Sequence, residues 1–447
     1  MHHPSYYLPC FRSGVLAPRE WALLSAYWTG LFNWLGNTAG DASFAYIFAI
    51  FVSAALVTGG GTALTTPQLV GLAISVLFVW SVINIFHIEK IGWVNNIGVT
   101  VQMLTIISLA TVVLSMAPAL NTASFVFFDY HNSTGFSQNY YVIMLSFLFP
   151  LFGFAGYDGP AHLAEETRGS SYAAPMGIVY TVVATGVFGF LLIIALMLSM
   201  QSIDDAIDGS SGNAAIQILS QTGGQNVACV FSWLLAVNIF FGGVSSITVT
   251  SRILFALCRD KATVYADTLS ALNPTFRSPI NAVIFLFLVQ SSLLLIPLNS
   301  AGGSEAFYSI LSICVVGLQI SYLIPIAWKV MIYMWPAHHA KISLKLQLSP
   351  MSLGSWSFPL GVISTVWLSI TTLLLLFPTT YPVTAQSMNY TCVVVGAVIL
   401  FGILNWEMNS KNTFKGPPRS DDSVEVEVSL GDLSRNTEVQ PLIAKGL

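Results

Sequence analysis

Charged side chains are scarce in this sequence. Lysine and arginine together number 16 and aspartate and glutamate 20, which is 8% of 447 residues, against about 25% in an ordinary soluble domain. So low a charge content argues against a soluble globular enzyme. The few basic residues and the net charge of −4 also exclude the basic surface that nucleic-acid binding requires, so we expect no nucleic-acid partner.

Two kinds of motif are also missing. The five cysteines stand singly, without the close spacings of a metal site or a disulfide framework. No Gly-rich phosphate-binding loop with its lysine is present, which argues against ATP-driven transport. We therefore expect no metal, no cofactor and no enzymatic activity.

Apolar residues, in contrast, are abundant and make up 55% of the chain. They recur in blocks of about 20, long enough to cross a hydrocarbon layer of about 30 Å as a helix. The sequence therefore predicts an all-α polytopic membrane protein with about 10 transmembrane helices. The predicted spans lie near 21–58, 68–87, 91–115, 140–164, 175–200, 225–257, 279–297, 305–330, 357–378 and 389–406.

The first block, 21–58, is long enough for one tilted helix or for two short helices broken near Asn37. With a single span and a cytoplasmic N-terminus, all 16 lysines and arginines lie on the cytoplasmic side, as the positive-inside rule requires. Two spans would leave only Arg12 and Arg19 inside. We therefore predict a membrane domain over 21–406, between a cytoplasmic segment 1–20 and a cytoplasmic, disordered tail 407–447.

Two short motifs bear on modification and location. The loop 116–139 has no lysine or arginine, so we expect it outside or in a lumen, where Asn132 heads a glycosylation sequon that can equally arise by chance. In the tail, the stretch from Glu438 to Ile443 resembles the acidic dileucine signals that sorting adaptors read. Such a signal favours a vacuolar or endosomal membrane, and without it the plasma membrane is the alternative.

Carboxylates inside the membrane are the strongest functional signal, because each costs about 2.5–3.5 kcal/mol at a helix centre. Asp41 and Asp158 are the two candidates. Asp158 lies between Gly156 and the pair Gly159-Pro160, residues that should break the helix of block 140–164.

Unwound backbone at membrane depth is tolerated where it lines a cavity, and half-helix ends can hold both charged ends of a zwitterion. The alternative is a plain proline kink in which Asp158 caps the next helix. Further along, His162 could relay protons or simply hydrogen-bond in place. Glu165 and Glu166 could form an inner gate or a solvated helix end paired with an arginine.

The same stretch resembles the sixth-helix signature of the amino acid–polyamine–organocation permeases, in the branch of fungal amino acid and choline permeases that includes GABA permeases. The matching residues are Gly156-Tyr-Asp158-Gly-Pro-Ala-His162-Leu-Ala-Glu165-Glu166-Thr167, followed by Pro175-Met-Gly-Ile178, and further matches lie at 28–37, 248–260 and 273–282.

The resemblance implies an inverted-repeat fold of twelve helices, with substrate held between the broken first and sixth helices and walled by the third, eighth and tenth. The predicted spans correspond to family helices 3 to 12, so the first two helices are missing. We expect a truncated sequence. A defective product, or a second chain that supplies the missing helices, are the alternatives.

The resemblance also assigns roles to particular residues. Phe152 stands at the position of an aromatic gate, Asn37 faces the site from the third family helix, and Asp158 takes part in gating or proton coupling. Asp41 lies on the same helical face as Asn37, so it could touch an amine substrate or make a buried structural hydrogen bond. The residues expected to surround the substrate in the broken segment are Gly153, Phe154, Ala155, Gly156 and Tyr157.

The sequence thus predicts a secondary active permease for amino acids or related amines such as GABA or choline, coupled to protons. The alternative is a non-transporting, permease-like membrane protein that acts as a nutrient receptor or as a partner of a full-length permease.

Overall fold

The protein is built from helices throughout the part of the chain that the structure describes. The computed structural model describes residues 9–86, 88–164, 170–209, 212–274, 276, 278–299, 304–335, 353–384, 388–414 and 416. The helices are α1 (Pro9–Leu16), α2 (Ala22–Thr58), α3 (Thr66–Ile85), α4 (Ile88–Met116), α5 (Ala123–Phe128), α6 (Asn139–Leu145), α7 (Leu148–Gly153), α8 (Gly159–His162), α9 (Ser170–Ser199), α10 (Ile203–Asp208), α11 (Ala214–Arg259), α12 (Ala266–Leu269), α13 (Ile280–Leu294), α14 (Ser304–Met334), α15 (Ser357–Leu374), α16 (Thr391–Asn405) and α17 (Lys411–Thr413).

Nine of the described helices are long and apolar enough to cross a membrane, so the protein is an all-α polytopic membrane protein, as the apolar blocks predict. The remaining predicted span, 140–164, differs because its helix is interrupted. It consists of the short helices α6, α7 and α8, joined by turns around residue 146 and over 154–158. The turn over 154–158 is where Gly156 takes φ +79°, a left-handed conformation that glycine adopts without strain.

Helix α2 runs unbroken through the centre of the bundle. Its small residues allow neighbouring helices to approach closely, as in other membrane bundles, and Ala39, Ala42, Ala45 and Ala49 are completely buried. Against α14 the approach reaches the backbone: a Cβ added to Gly317 would lie 2.8 Å from the Cα of Gly36. This crossing fixes the position of the α2 face that carries Asn33 and Asn37.

Helix α11 begins eleven residues before the predicted span at 225. Asn213 caps its first turn, because its Oδ1 accepts hydrogen bonds from the backbone N–H groups of Ala215 and Ile216. The added segment joins the membrane-spanning part at Gly224, where φ +80° and ψ 173° bend the helix. The added segment also packs tightly, because Ile216 and Leu219 are completely buried against Ala54 and Leu109.

The outer faces of α4 and α9 are apolar and exposed. On α9, the side chains of Val183, Phe190 and Ile193 are 57–60% exposed. An exposed apolar surface of this kind suits contact with lipid tails. The bundle therefore packs its small and polar residues inward around α2 and turns large apolar residues outward.

Of the two predicted short motifs, the structure describes the glycosylation sequon at Asn132 but not the sorting motif in the tail. Asn132 is half-buried, and its amide Nδ2 donates to the carbonyl of Phe136 at 2.7 Å while its Oδ1 accepts from the Thr134 hydroxyl at 2.8 Å. Its glycosylation stays a prediction. The sorting motif from Glu438 to Ile443 lies outside the described residues.

Candidate functional site

The broken segment between α7 and α8 leaves several backbone groups without helical hydrogen bonds. Ala155 N–H donates to the Phe152 carbonyl at 2.9 Å, and Gly159 N–H donates to the Gly156 carbonyl at 3.1 Å. Between them, the N–H groups of Gly156, Tyr157 and Asp158 donate to no carbonyl among the described residues. Three adjacent donors are therefore available to a ligand or water.

Open space adjoins this backbone. A Cβ added to Gly153 or to Gly156 would meet no atom within 4 Å. Both residues are exposed, whereas Asp158 next to them is 4% exposed. Free donors, open space and a buried carboxylate thus lie within six residues of one another, as a segment lining a cavity would require.

Asp158 occupies the N-cap position of α8, but its side chain makes no capping hydrogen bond. Its Oδ2 instead accepts a hydrogen bond from Nδ2 of Asn33 on α2 at 2.9 Å. His162 Nε2 lies at the same 2.9 Å from this oxygen. The carboxylate therefore joins the broken segment to the central helix, so the simple capping alternative does not describe its contacts.

Three buried polar atoms around this carboxylate have no hydrogen-bond partner among the described residues. They are Oδ1 of Asp158, Nδ1 of His162 and the hydroxyl oxygen of Tyr322 on α14. Burying such atoms unpaired costs about 1–3 kcal/mol each, so they are expected to bind water or a ligand. Their position beside the free N–H groups makes this the candidate substrate site.

Aromatic side chains enclose the segment. The rings of Tyr157 and Tyr322 lie 4.9 Å apart, centroid to centroid, and Phe152 packs on Phe44 of α2 at 6.1 Å. Phe154 points the other way, towards Gly186 of α9. The structure therefore places Phe152 and Tyr157 between the break and the core helices, and Phe154 on the outer side.

Asn33 is the site residue that sequence reasoning missed. Asn37, the predicted one, donates through Nδ2 to the Asn33 carbonyl at 2.9 Å, and Asn33 in turn contacts both Asp158 and Ser321 of α14. Its signal was a second asparagine one turn before Asn37 in an apolar helix. Asn37 thus acts on the site through Asn33.

Asp41 lies in a different polar cluster. Ser246 of α11 donates to its Oδ1, and Nε2 of Gln290 on α13 donates to its Oδ2 at 2.6 Å. Eight residues separate it from Asn33 on α2, which is about 12 Å along a helix axis. The structure therefore brings Asp41 to α11 and α13 and keeps it apart from the broken segment.

Two predicted gating residues, Glu165 and Glu166, lie outside the described residues. No group of three or more histidine, cysteine, aspartate or glutamate side chains arranged to hold a metal ion occurs in the part of the chain that the structure describes.

Comparison with known proteins agrees with this architecture. The family model described as amino acid permease matches residues 10–398. Amino-acid permease BAT1 of Arabidopsis thaliana is 28% identical over 425 residues, covering 91% of this chain and 79% of that protein. Amino-acid permease 2 of Neurospora crassa is 25% identical over 430 residues, covering 94% and 76%. An uncharacterized amino-acid permease of Schizosaccharomyces pombe is 26% identical, covering 91% and 72%.

The family match extends over most of the described helices and includes the broken segment and the Asp158 contacts. It points to an integral membrane transporter with an amino acid substrate rather than an enzyme. This chain belongs to the amino acid permease family.

Proposed function

We propose that the protein is a secondary active permease that carries amino acids or related amines such as GABA or choline together with protons. Access to the two sides of the membrane alternates around the broken segment 153–160. One observation supports this most directly. Three free backbone N–H groups, at Gly156, Tyr157 and Asp158, occur in the same short segment as the unpartnered Oδ1 of Asp158.

These two kinds of group complement the two charges of a zwitterion. Backbone N–H groups are donors that suit a substrate carboxylate, and a carboxylate oxygen suits an ammonium group. Choline has no carboxylate and would use only the second half of the site. The open space beside Gly153 and Gly156 gives the substrate backbone room to approach.

The Asp158–His162 pair is the proposed place where proton movement is coupled to transport. Both side chains are buried, and the Nδ1 atom of His162 has no partner among the described residues. A histidine is suited to exchanging protons near neutral pH, and a proton shared with Asp158 would change the charge that an incoming ammonium group meets. Substrate and proton would then influence each other at one carboxylate.

The test is uptake by the purified full chain in proteoliposomes. Radiolabelled neutral amino acids, GABA and choline are added outside the proteoliposomes under an inwardly directed proton gradient, with and without a protonophore. We expect uptake of at least one substrate that the protonophore abolishes. Asp158→Asn should remove gradient-driven uptake, whereas the control Asp205→Asn, on the exposed helix α10, should not.

The outcomes separate the alternatives. Saturable substrate binding without flux would overturn the transport proposal in favour of a nutrient receptor. Flux that is unaffected by the acid gradient would overturn proton coupling alone. Choline as the preferred substrate would overturn the zwitterion argument.

A further inference from the structure

The Asp41 cluster is a second polar centre that the proposed substrate site does not use. Asp41 is fully buried in the middle of α2. Ser246 binds one carboxylate oxygen from α11, and Gln290 binds the other from α13. One carboxylate therefore ties three helices together.

The charge of this carboxylate has no basic partner. Asp41 forms no ion pair with a lysine, arginine or histidine among the residues that the structure describes. Helices α11 and α13 face it with hydroxyl and amide groups, and α14 faces it with the Cys314 thiol. An isolated carboxylate in a low-dielectric interior is costly when ionised, and it responds by taking up a proton.

The surrounding side chains can serve both charge states. Hydroxyl and amide groups each contain a donor and an acceptor. Thr250 lies beside the carboxylate, and its hydroxyl currently donates to the Ser246 carbonyl at 3.1 Å. Rotation of these hydroxyl groups would let them accept a hydrogen bond from a protonated Asp41 instead of donating one.

Gln290 supplies the second observation. It is 0% exposed, its Nε2 donates to Asp41, and its Oε1 has no partner among the described residues. If Asp41 were protonated, rotation of the amide would bring Oε1 to the new carboxyl proton and pair both groups. A metal cation would instead have to displace the NH2 group from its position 2.6 Å from the carboxylate.

We propose that Asp41, with Ser246, Thr250 and Gln290, forms a proton-binding site distinct from the substrate site at Asp158. Protonation takes one proton from water, converts the carboxylate to a neutral carboxyl group and reverses the direction of its hydrogen bond to Gln290. In the context of the proposed transport function, on which this consequence rests, the site carries a coupled proton and changes the contact of α2 with α11 and α13.

The direct test does not depend on transport. Infrared difference spectra of the full chain in lipid, recorded between high and low pH, report the C=O stretch of any carboxyl group that becomes protonated. We expect a band that is present in the wild type and in Asp158→Asn and is lost in Asp41→Asn. The same band in Asp41→Asn would overturn the proposal.

A second variant protects the test against misfolding of Asp41→Asn. Gln290→Leu keeps a similar side-chain volume and removes the hydrogen bond of Gln290 in both charge states. Because the hydrogen bond to the ionised carboxylate is the stronger of the two, the midpoint of the band should move to higher pH. The matched control is Gln319→Leu, a buried glutamine of α14 whose Oε1 accepts from Thr371 and Thr372, and it should leave the midpoint unchanged. An unchanged midpoint in Gln290→Leu would contradict the proposal.

Two further results distinguish related explanations. Replacement of potassium by sodium at constant pH should leave the band unchanged, and a sodium-dependent midpoint would overturn the proton site in favour of a cation site. If the wild type transports none of the substrates, the proposed function fails, while the infrared band still decides whether Asp41 binds a proton.

Discussion

Gly36 of α2 and Gly317 of α14 meet backbone to backbone at the crossing of these helices. A Cβ on Gly36 would lie 2.7 Å from the backbone nitrogen of Leu318, and a Cβ on Gly317 would lie 2.8 Å from the Cα of Gly36. One turn from this contact, Asn33 and Ser321 form their hydrogen bond at 3.2 Å. The two glycines thus let α2 and α14 approach closely where Asn33 meets Ser321, and Asn33 also donates to Asp158.

Gly317→Ala is expected to destabilise the protein. The added methyl group has no space, and overpacking of this kind typically costs about 1–3 kcal/mol. Thermal unfolding of the purified protein should show a lower Tm. The control is Gly189→Ala on α9, where an added Cβ meets nothing within 4 Å, and an equal loss there would contradict the packing argument.

Asn33→Leu is expected to reduce uptake while leaving a folded protein. The substitution removes the donor to Oδ2 of Asp158, and a hydrogen bond to a charged group contributes about 1.5–3 kcal/mol, which corresponds to roughly 10-fold or more in an equilibrium constant. Initial uptake rates at several substrate concentrations provide the measurement.

Asn238→Leu serves as the matched control for Asn33→Leu. Asn238 joins α11 to Thr105 of α4 through its Nδ2 at 2.9 Å, so its replacement also removes an interhelical hydrogen bond from an asparagine. If both variants lose uptake equally, the effect of Asn33→Leu would reflect general packing and not the contact with Asp158.

Tyr322→Phe is expected to change substrate affinity but not stability. The hydroxyl of Tyr322 faces the Asp158 carboxylate but forms no hydrogen bond of good geometry among the described residues, so its removal should cost the fold little, while the ring keeps its contact with Tyr157. A raised KM with an unchanged Tm would place the hydroxyl at the substrate. Tyr46→Phe, at the buried ring stacked on Phe307, should alter neither quantity.

Enzymatic deglycosylation tests the orientation of the loop 116–139. If this loop faces the lumen or the outside, protein produced in a eukaryotic host should gain mobility on a gel after glycan removal, and Asn132→Gln should abolish the change. Thr134→Ser keeps the sequon and should retain it. A cysteine in the variant Asn132→Cys that an impermeant thiol reagent labels only from the cytoplasmic side would reverse the predicted topology.

The amino-acid sequence by itself determined the class of the protein and the place of the break. Blocks of about 20 apolar residues can be satisfied in a membrane only as helices, and Gly156, Gly159 and Pro160 interrupt one of them through local backbone preferences that need no tertiary contact. The permease resemblance rested on residues of the same stretch and on short matches at 28–37, 248–260 and 273–282. These features depend on neighbours in sequence, so they can be read from it.

Only the tertiary structure decided which polar residues meet. Asn33 and Asn37 differ by one helical turn and look alike in sequence. Asn33 nevertheless contacts Asp158 and, beside the Gly36–Gly317 crossing, Ser321 of α14, whereas Asn37 is bound to Asn33. The sequence left Asp41 open between a contact with an amine substrate and a buried structural hydrogen bond, and its partners Ser246 and Gln290 are 205 and 249 residues away. Such contacts depend on how helices cross and rotate against one another, which long-range packing sets and helical periodicity does not encode.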